Sequence, residues 1–581
     1  MYIDVVPNRR SPPAVLLREA HREGGKIIKR TIANISDWPM DKVDALRVLL
    51  KSDGGMQVVP TGEVPMDIVR SSPIGHVAAV LGAMRRLGMA DIIGLDGIVG
   101  SRVQAMVAAR ILDPGSKLAT AQGLDGADGG WIEALSRELA LGAQVNEDDL
   151  YAAMDALHER QAGIERALVH RHLQDGCLVL YDLTSTYFHG HTCPLAKLGY
   201  SRDGKKGLLQ ITIGLLCTRD GCPIAVEVFE GNSGDPGTFS AQVTKVQERF
   251  GLKRVVYVGD RGMITNARIR DDLAGLADVG WVTCLRAPAI QELRDQGSIQ
   301  LGIFDTQDMA EITNDEYPGE RLVVCRNPLL ATKRTRKRQE LLAATEADLT
   351  ELVARVRRAK RPLRGAADIG RAVERALSHH KVGKHFDVVI TDSSLTWSRN
   401  DERIRVEAEL DGFYVIRAKL PNPQPEAADL VATYKGLSTV ERAFRTLKGV
   451  DLKLRPIHHR LENRVRAHVL LCVLAYYVEF HMRSWLAPVL FQDDDPEAAK
   501  AERTSVVAPA QRSPAANAKA RTKRTADNLS VHSFPSLLRD LATITRNTIQ
   551  PLIPGVKPFD KTTLPNPFQR RAFELLQVPI P

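Results

Sequence analysis

Asp182, Asp260 and Glu441 are three carboxylates in settings suited to metal-assisted chemistry at phosphorus. Asp182 follows the continuous apolar run Cys177–Tyr181, and Asp260 follows Val255–Val258 with one glycine between. Such runs read as buried strands, and α/β sheets place ligands beyond the carboxyl ends of their strands. Either Asp alone could equally be a turn or capping residue. Together with Glu441 they suggest a three-carboxylate site, whose hard oxygen donors suit Mg²⁺ or Mn²⁺. Two such ions about 4 Å apart can activate an attacking oxygen and stabilise a leaving one.

Glu441 falls in the stretch Tyr434–Lys448. Val440, Ala443, Phe444 and Leu447 recur at helical spacing as an apolar stripe, and Glu441, Arg445 and Lys448 form a polar stripe beside it. Ser438 can cap this helix, and Ser438-x-x-Glu441 also fits a capping box in which Glu441 does structural work only. A cation beside a metal site is repelled by the ions, so Arg445 and Lys448 are best used on the phosphate flanking a scissile bond. Tyr434 could donate its hydroxyl to the same backbone. The plainer alternative is an Arg445–Glu441 ion pair with Lys448 in solvent. No phosphate-binding glycine loop of the form G-x-x-x-x-G-K-[ST] and no Ser-His-Asp spacing competes with the acids.

The elements that must position these residues follow from the periodicity. Strands are expected over Cys177–Tyr181, Leu208–Cys217, Pro223–Phe229, Val255–Val258 and Trp281–Leu285, with helices over Thr238–Phe250 and Thr265–Gly275. Upstream, Gly24-Gly25 suggests a hairpin, Asp41–Leu50 a short helix, and Ile74–Asp113 and Asn146–His172 helical segments. Downstream come a strand at Leu322–Cys325, a helix at Gln339–Ala359, strands near Phe386–Thr391 and Ile404–Leu410, and a long helix over Glu462–Trp485. The pattern divides the chain into a hairpin and helix region (1–65), a helical region expected to touch nucleic acid (66–175), an α/β part (176–286), a stretch that interrupts its order (287–410), a second α/β part (411–490), a disordered basic linker (491–527) and a C-terminal segment (528–581).

Lys and Arg number 79 against 70 Asp and Glu, a net charge of +9. The excess is concentrated at Lys333-Arg334-Thr335-Arg336-Lys337-Arg338, at Arg355–Arg364 and at Lys519–Arg524, runs that suit a polyanion or a solvated surface. Lys333, Arg334, Arg336, Lys337 and Arg338 are therefore candidate DNA contacts. The seven cysteines form no C-x-x-C pair, which argues against zinc and fits a reducing cytoplasm. Met1–Arg18 lacks the apolar core of a signal peptide, and Ala467–Phe480 is too short to span a bilayer, so no membrane partner is expected.

The chain resembles DDE insertion-sequence transposases with a ribonuclease-H-like core. That group carries a Tyr-x₂-Arg-x₃-Glu-x₆-Lys signature around its third acid, and this chain has Tyr434, Glu441 and Lys448 at those spacings, with Leu437 in place of Arg. The resemblance extends to Tyr181–Thr186, Val258–Met263 and the loop Gly199–Lys205. It implies an α/β fold: a mixed sheet flanked by helices, interrupted by an insertion domain and preceded by a helical region. The gap of 181 positions from Asp260 to Glu441 would hold the insertion. Trp397 is a candidate for the aromatic that stacks on an extruded base in related enzymes, or a core residue. The resemblance further implies double-stranded DNA partners (terminal inverted repeats and target), a homodimer in the synaptic complex, metal-dependent cleavage with joining of 3′ ends, and a bacterial cytoplasmic, nucleoid-associated setting. An aspartyl-phosphate phosphohydrolase is the alternative enzyme, although Thr184 stands where its second Asp belongs; an inactive DNA-binding relic is the other.

Overall fold

The computed structural model describes residues 1–9, 11–51, 66–124, 130–142, 145–421, 425–449, 451–503, 505–552 and 556–581. The chain divides into a smaller unit, residues 1–71 with 547–561, and a larger one, residues 72–546 with 562–581. The domain boundary expected at residue 65 lies outside the described residues.

In the smaller unit β1 (Tyr2–Val6), β2 (Ala14–Glu23) and β3 (Lys26–Asn34) form an antiparallel sheet in sequential order. Gly24 and Gly25, both at positive φ, make the expected hairpin turn. α1 (Met40–Lys51) follows. A second sheet runs Phe559–Thr562, Thr545–Pro551 and β4 (Met66–Pro73).

Among the described residues the larger unit opens with seven helices: α2 (Gly75–Arg86), α3 (Met89–Ile93), α4 (Gly97–Leu112), α5 (Lys117–Leu124), α6 (Trp131–Glu138), α7 (Glu147–Glu159) and α8 (Gln161–His172). Asn146 and Asp149 cap α7 reciprocally. The sheet then begins: β5 (Cys177–Tyr187), β6 (Gln210–Thr218), β7 (Pro223–Glu230), α9 (Asp235–Thr244), β8 (Val255–Val258), α10 (Asn266–Arg268) and β9 (Val279–Cys284). β5, β6 and β7 are antiparallel, while β8 and β9 run parallel to β5, giving the order β7-β6-β5-β8-β9. This is the mixed sheet expected of a ribonuclease-H-like core.

The chain continues through α11 (Ala287–Asp295), β10 (Met309–Ile312), β11 (Arg321–Arg326), α12 (Pro328–Arg357), α13 (Ala366–His380), β12 (Phe386–Ile390), β13 (Leu395–Arg399), α14 (Asp401–Ala408) and β14 (Phe413–Lys419). β14 pairs with β9 and β11, so β10 and β11 extend the core sheet to eight strands. The excursion away from the sheet is therefore shorter than the expected 287–410 and spans α12 to α14. Ile404–Leu410, expected as a strand, lies mostly in α14, which Asn400 caps by accepting the Arg403 amide.

α15 (Ala427–Lys435), α16 (Leu437–Lys448) and α17 (Glu462–Trp485) return to the core. α17 is apolar nearly all round and is buried against α4, α7 and β7, as a central helix should be. The stretch 491–527, expected as disordered linker, contains α18 (Pro496–Ala501) and α19 (Pro514–Thr522). Its composition hid specific anchors: Ser513 caps α19, and Lys519 is buried on the Ala487 carbonyl and Asp494. The last segment adds α20 (Phe534–Leu541) and α21 (Pro567–Leu576), both packed on α2.

One glycine fixes the sheet beneath the acids. Gly214 on β6 opposes Leu183, and a Cβ there would lie 2.4 Å from the Tyr181 hydroxyl. Tyr181 is fully buried against Phe239 and uses that space. Gly214→Ala should destabilise the larger unit by about 1–3 kcal/mol through overpacking, read as a lower denaturant midpoint at unchanged slope.

Candidate active site

Asp182 sits inside β5 rather than at its end, since the strand runs on to Tyr187. The reason is the unequal neighbours: parallel β8 stops pairing at Leu180, while antiparallel β6 pairs on to Tyr187. Asp182 thus stands where the sheet loses β8 on one side, and the space beyond is open to Asp260. Asp260 begins the turn after β8, and its Oδ1 accepts the amides of Gly262 and Met263 at 2.8 and 3.0 Å. Asp182 Oδ1 accepts the Leu183 amide at 2.8 Å.

Glu441 arrives on α16, which packs on β5 through Val440, Ala443, Phe444 and Leu447, all buried. Ser438 does not cap this helix. Gly436 holds helical backbone angles and serves both as the end of α15 and the start of α16, with no side-chain cap. The nearly continuous helical backbone removes the extended geometry a serine cap needs. The capping-box role for Glu441 falls with it, and Glu441 is exposed.

Asp182, Asp260 and Glu441 line one cavity of about 350 Å³, with Tyr434, Lys435, Leu437, Ser438, Asn327 and Tyr414. Burial pushes the Asp182 carboxyl up to about 7, and the charges of Asp260 and Glu441 push the same way; the Leu183 amide and Arg202 oppose them. The residues fit a divalent cation on chemical grounds. The donors are carboxylate oxygens, and one is destabilised as an anion by the other two, a repulsion that a cation relieves.

The predicted polar residues divide. Arg445 is exposed one turn beyond Glu441. Lys448 is only 9% exposed; its ammonium donates to the Ser185 carbonyl and pairs with Asp203 at 3.2 Å. It therefore joins α16 to β5 and to the 199–205 loop instead of reaching solvent. Tyr434 lies in the last turn of α15 beside the Cys284 thiol, and burial raises its hydroxyl pKa. On α12, Lys333, Arg336 and Lys337 are exposed, whereas Arg334 donates to the Leu410 and Phe413 carbonyls and Arg338 is buried on Asp411. The two inward arginines lie four apart and face β14, a helical period the run of charges concealed. Trp397 packs edge-on to Phe386, ring centres 5.8 Å apart, in the cluster built by α12, α13, β12 and β13.

Other residues at the site are evident only in the fold. Arg202 donates to both oxygens of Asp235 at 2.8 Å, and its amide donates to Ser185 Oγ at 2.9 Å. Lys435 Nζ donates to the carbonyls of Val506, Val507 and Ala508 at 2.8, 2.6 and 3.0 Å. Asn327 Nδ2 reaches the Val507 carbonyl at 3.3 Å. Arg202 and Asp203 fall in a loop marked by resemblance alone. For Lys435 and Asn327 no sequence pattern points to partners near residue 507.

A sequence-family model described as the transposase DDE domain matches residues 174–478. No curated protein matches the chain significantly. Among solved structures, similarity is found to a piggyBac transposase synaptic complex with hairpin DNA, at 9% identity over 80% of this chain and 79% of that one, TM-score 0.32. A Mos1 transposase paired-end complex with left transposon end matches at 15% identity over 31% of this chain and 62% of that one, TM-score 0.13. Neither superposition aligns closely enough to transfer residues.

The Asp182 carboxyl titrates near 7 in the fold against an ordinary 3.8, so the folded state holds a proton that the unfolded chain has lost. Stability of the metal-free protein should fall as pH rises from about 4 to about 7 and stay low above that. Asp182→Asn should accordingly stabilise the metal-free protein at pH 8 by on the order of 2 kcal/mol, measured by denaturant titration in chelator. Lys448→Ala removes the contacts to Ser185 and Asp203 but leaves Asp203 paired with Arg455, so it should cost about 1–2 kcal/mol, whereas Arg445→Ala should change stability by under about 0.5 kcal/mol.

Proposed function

We propose, from the premise that the chain belongs to the transposase DDE domain family, that it cuts DNA at the ends of an insertion sequence and joins the freed 3′ ends to target DNA. The observation carrying this reading is the single cavity lined by Asp182, Asp260 and Glu441. Family membership sets the phosphohydrolase alternative aside. In the proposed reaction a water-derived oxygen first displaces the 3′ oxygen at the element's end. The freed 3′ hydroxyl then attacks a target phosphodiester and displaces its 3′ oxygen, so each step exchanges one P–O bond for another.

Mg²⁺ or Mn²⁺ ions held by Asp182, Asp260 and Glu441 would supply charge neutralisation at phosphorus and acidify the attacking oxygen. The protein's own residues set the frame. The Gly262 and Met263 amides fix one oxygen of Asp260, the Leu183 amide fixes one oxygen of Asp182, and the apolar face of α16 seats Glu441 over β5. Lys448 and Asp203 hold α16, β5 and the 199–205 loop in register. Arg445, exposed on α16 one turn beyond Glu441, would meet a phosphate of the cut strand. Lys333, Arg336 and Lys337 offer phosphate contacts from α12. A homodimer bound to paired terminal inverted repeats belongs to this proposal as well.

Asp260→Asn and Glu441→Gln should each lower cleavage of DNA carrying the element's own ends by roughly 10³-fold or more while binding is kept. Full cleavage by both variants would refute the assignment. Reversing the charges of Lys333, Arg336 and Lys337 together should reduce the slope of log affinity against log salt by about 0.9 for each phosphate that is no longer neutralised. An unchanged slope would place that face outside the DNA path.

A further inference from the structure

We propose that His172, Cys222 and His481 form a zinc site separate from the acidic cavity. His172 ends α8, Cys222 lies in the turn just before β7, and His481 is in the last turns of α17. These segments are far apart in sequence, yet they bring one donor atom each to within 4.8 Å of one another. Cys222 Sγ lies 3.7 Å from His481 Nε2. A sulfur and a nitrogen bound to one tetrahedral zinc, at about 2.3 and 2.0–2.1 Å, stand roughly 3.6 Å apart. The donors are therefore already spaced for the ion.

The surroundings suit the same metal. The imidazoles of His172 and His481 stack with centres 5.6 Å apart. The Tyr477 hydroxyl lies 2.9 Å from His172 Nε2, a contact that fixes the orientation of that ring. Burial depresses both imidazoles, His481 to about 4, so their lone pairs are free of protons at neutral pH. Burial also pushes the Cys222 thiol up to about 12, so zinc must displace its proton to solvent on binding. Arg171 and Arg86 oppose a cation here. Arg171 is turned onto the Leu87 carbonyl and Arg86 onto the Leu576 carbonyl and the Trp485 ring, and the thiolate's charge offsets part of their repulsion.

One thiolate and two imidazoles select zinc over the hard ions that carboxylates prefer. Three protein ligands leave a position for water. The absence of C-x-x-C spacing excluded only sites built from one local motif; this one is assembled by tertiary contact. Its position gives it a structural consequence. Gly221, beside Cys222, packs so closely on Thr439 that a Cβ there would lie 2.7 Å from the Thr439 Cβ. Thr439 precedes Glu441 by two residues, so a zinc ion would lock the turn on which α16 rests.

The test uses the full chain expressed in zinc-supplemented medium and passed over chelating resin. Wild type and Asp182→Asn should each retain about one zinc per chain by elemental analysis, while Cys222→Ser and His481→Gln should retain roughly a tenth of that or less. Cobalt(II) should give a sulfur-to-cobalt charge-transfer band in wild type and in Cys217→Ser, but not in Cys222→Ser. Should Cys222→Ser fail to fold, His481→Gln and the wild-type cobalt spectrum decide the matter. Wild type without zinc, a cobalt spectrum without the thiolate band, preferential retention of copper, or equal zinc in wild type and His481→Gln would each overturn the proposal.

Discussion

Carboxylates gathered around one cavity repel one another, and the larger unit is arranged to hold them there. Asp182 feels this most, because burial and the charges of Asp260 and Glu441 all favour its protonated form. Nothing in the local sequence would keep such groups together. They are held by apolar packing of α16 on β5, by backbone amides on Asp182 and Asp260, and by the buried Lys448–Asp203 pair. That repulsion is a cost to stability, which the surrounding packing offsets.

The sheet topology makes this geometry possible. Three antiparallel strands followed by two parallel ones leave β5 flanked by a long partner, β6, and a short one, β8. The uneven ends open space where Asp182 and the turn carrying Asp260 face α16. Extension of the sheet through β14, β11 and β10 brings Tyr414 and Asn327 to the same cavity. Lys435 and Asn327 then grip the backbone of residues 506–508, which ties a late segment of the chain to the cavity wall.

Much of this frame was legible in the residues. Buried strands announce themselves as apolar runs, so β5 to β9 and the long helix α17 were readable from pattern. The stripe Val440, Ala443, Phe444, Leu447 identified the buried face of α16. Readability failed where partners are distant. Lys448 looks like a surface cation until Asp203 is known to face it. Arg334 and Arg338 look like part of a basic patch until β14 and Asp411 are seen beneath them. The stretch 491–527 has the composition of a linker, but Ser513, Lys519 and their acidic partners order it. Ile404–Leu410 misled because a short apolar alternation cannot separate strand from helix, and the Asn400 cap decided it.

The measurement that bears most directly on the three-acid site is iron-directed backbone cleavage. Fe²⁺ loaded in place of the divalent ion and treated with ascorbate and peroxide generates hydroxyl radicals that cut the chain close to the metal. Cuts near Asp182, near Asp260 and near Glu441 in the same protein, suppressed by added Mg²⁺ and absent from Asp182→Asn, are the expected result. Cuts confined to one of these segments, or a pattern that Asp182→Asn leaves unchanged, would show that the three carboxylates do not share a metal.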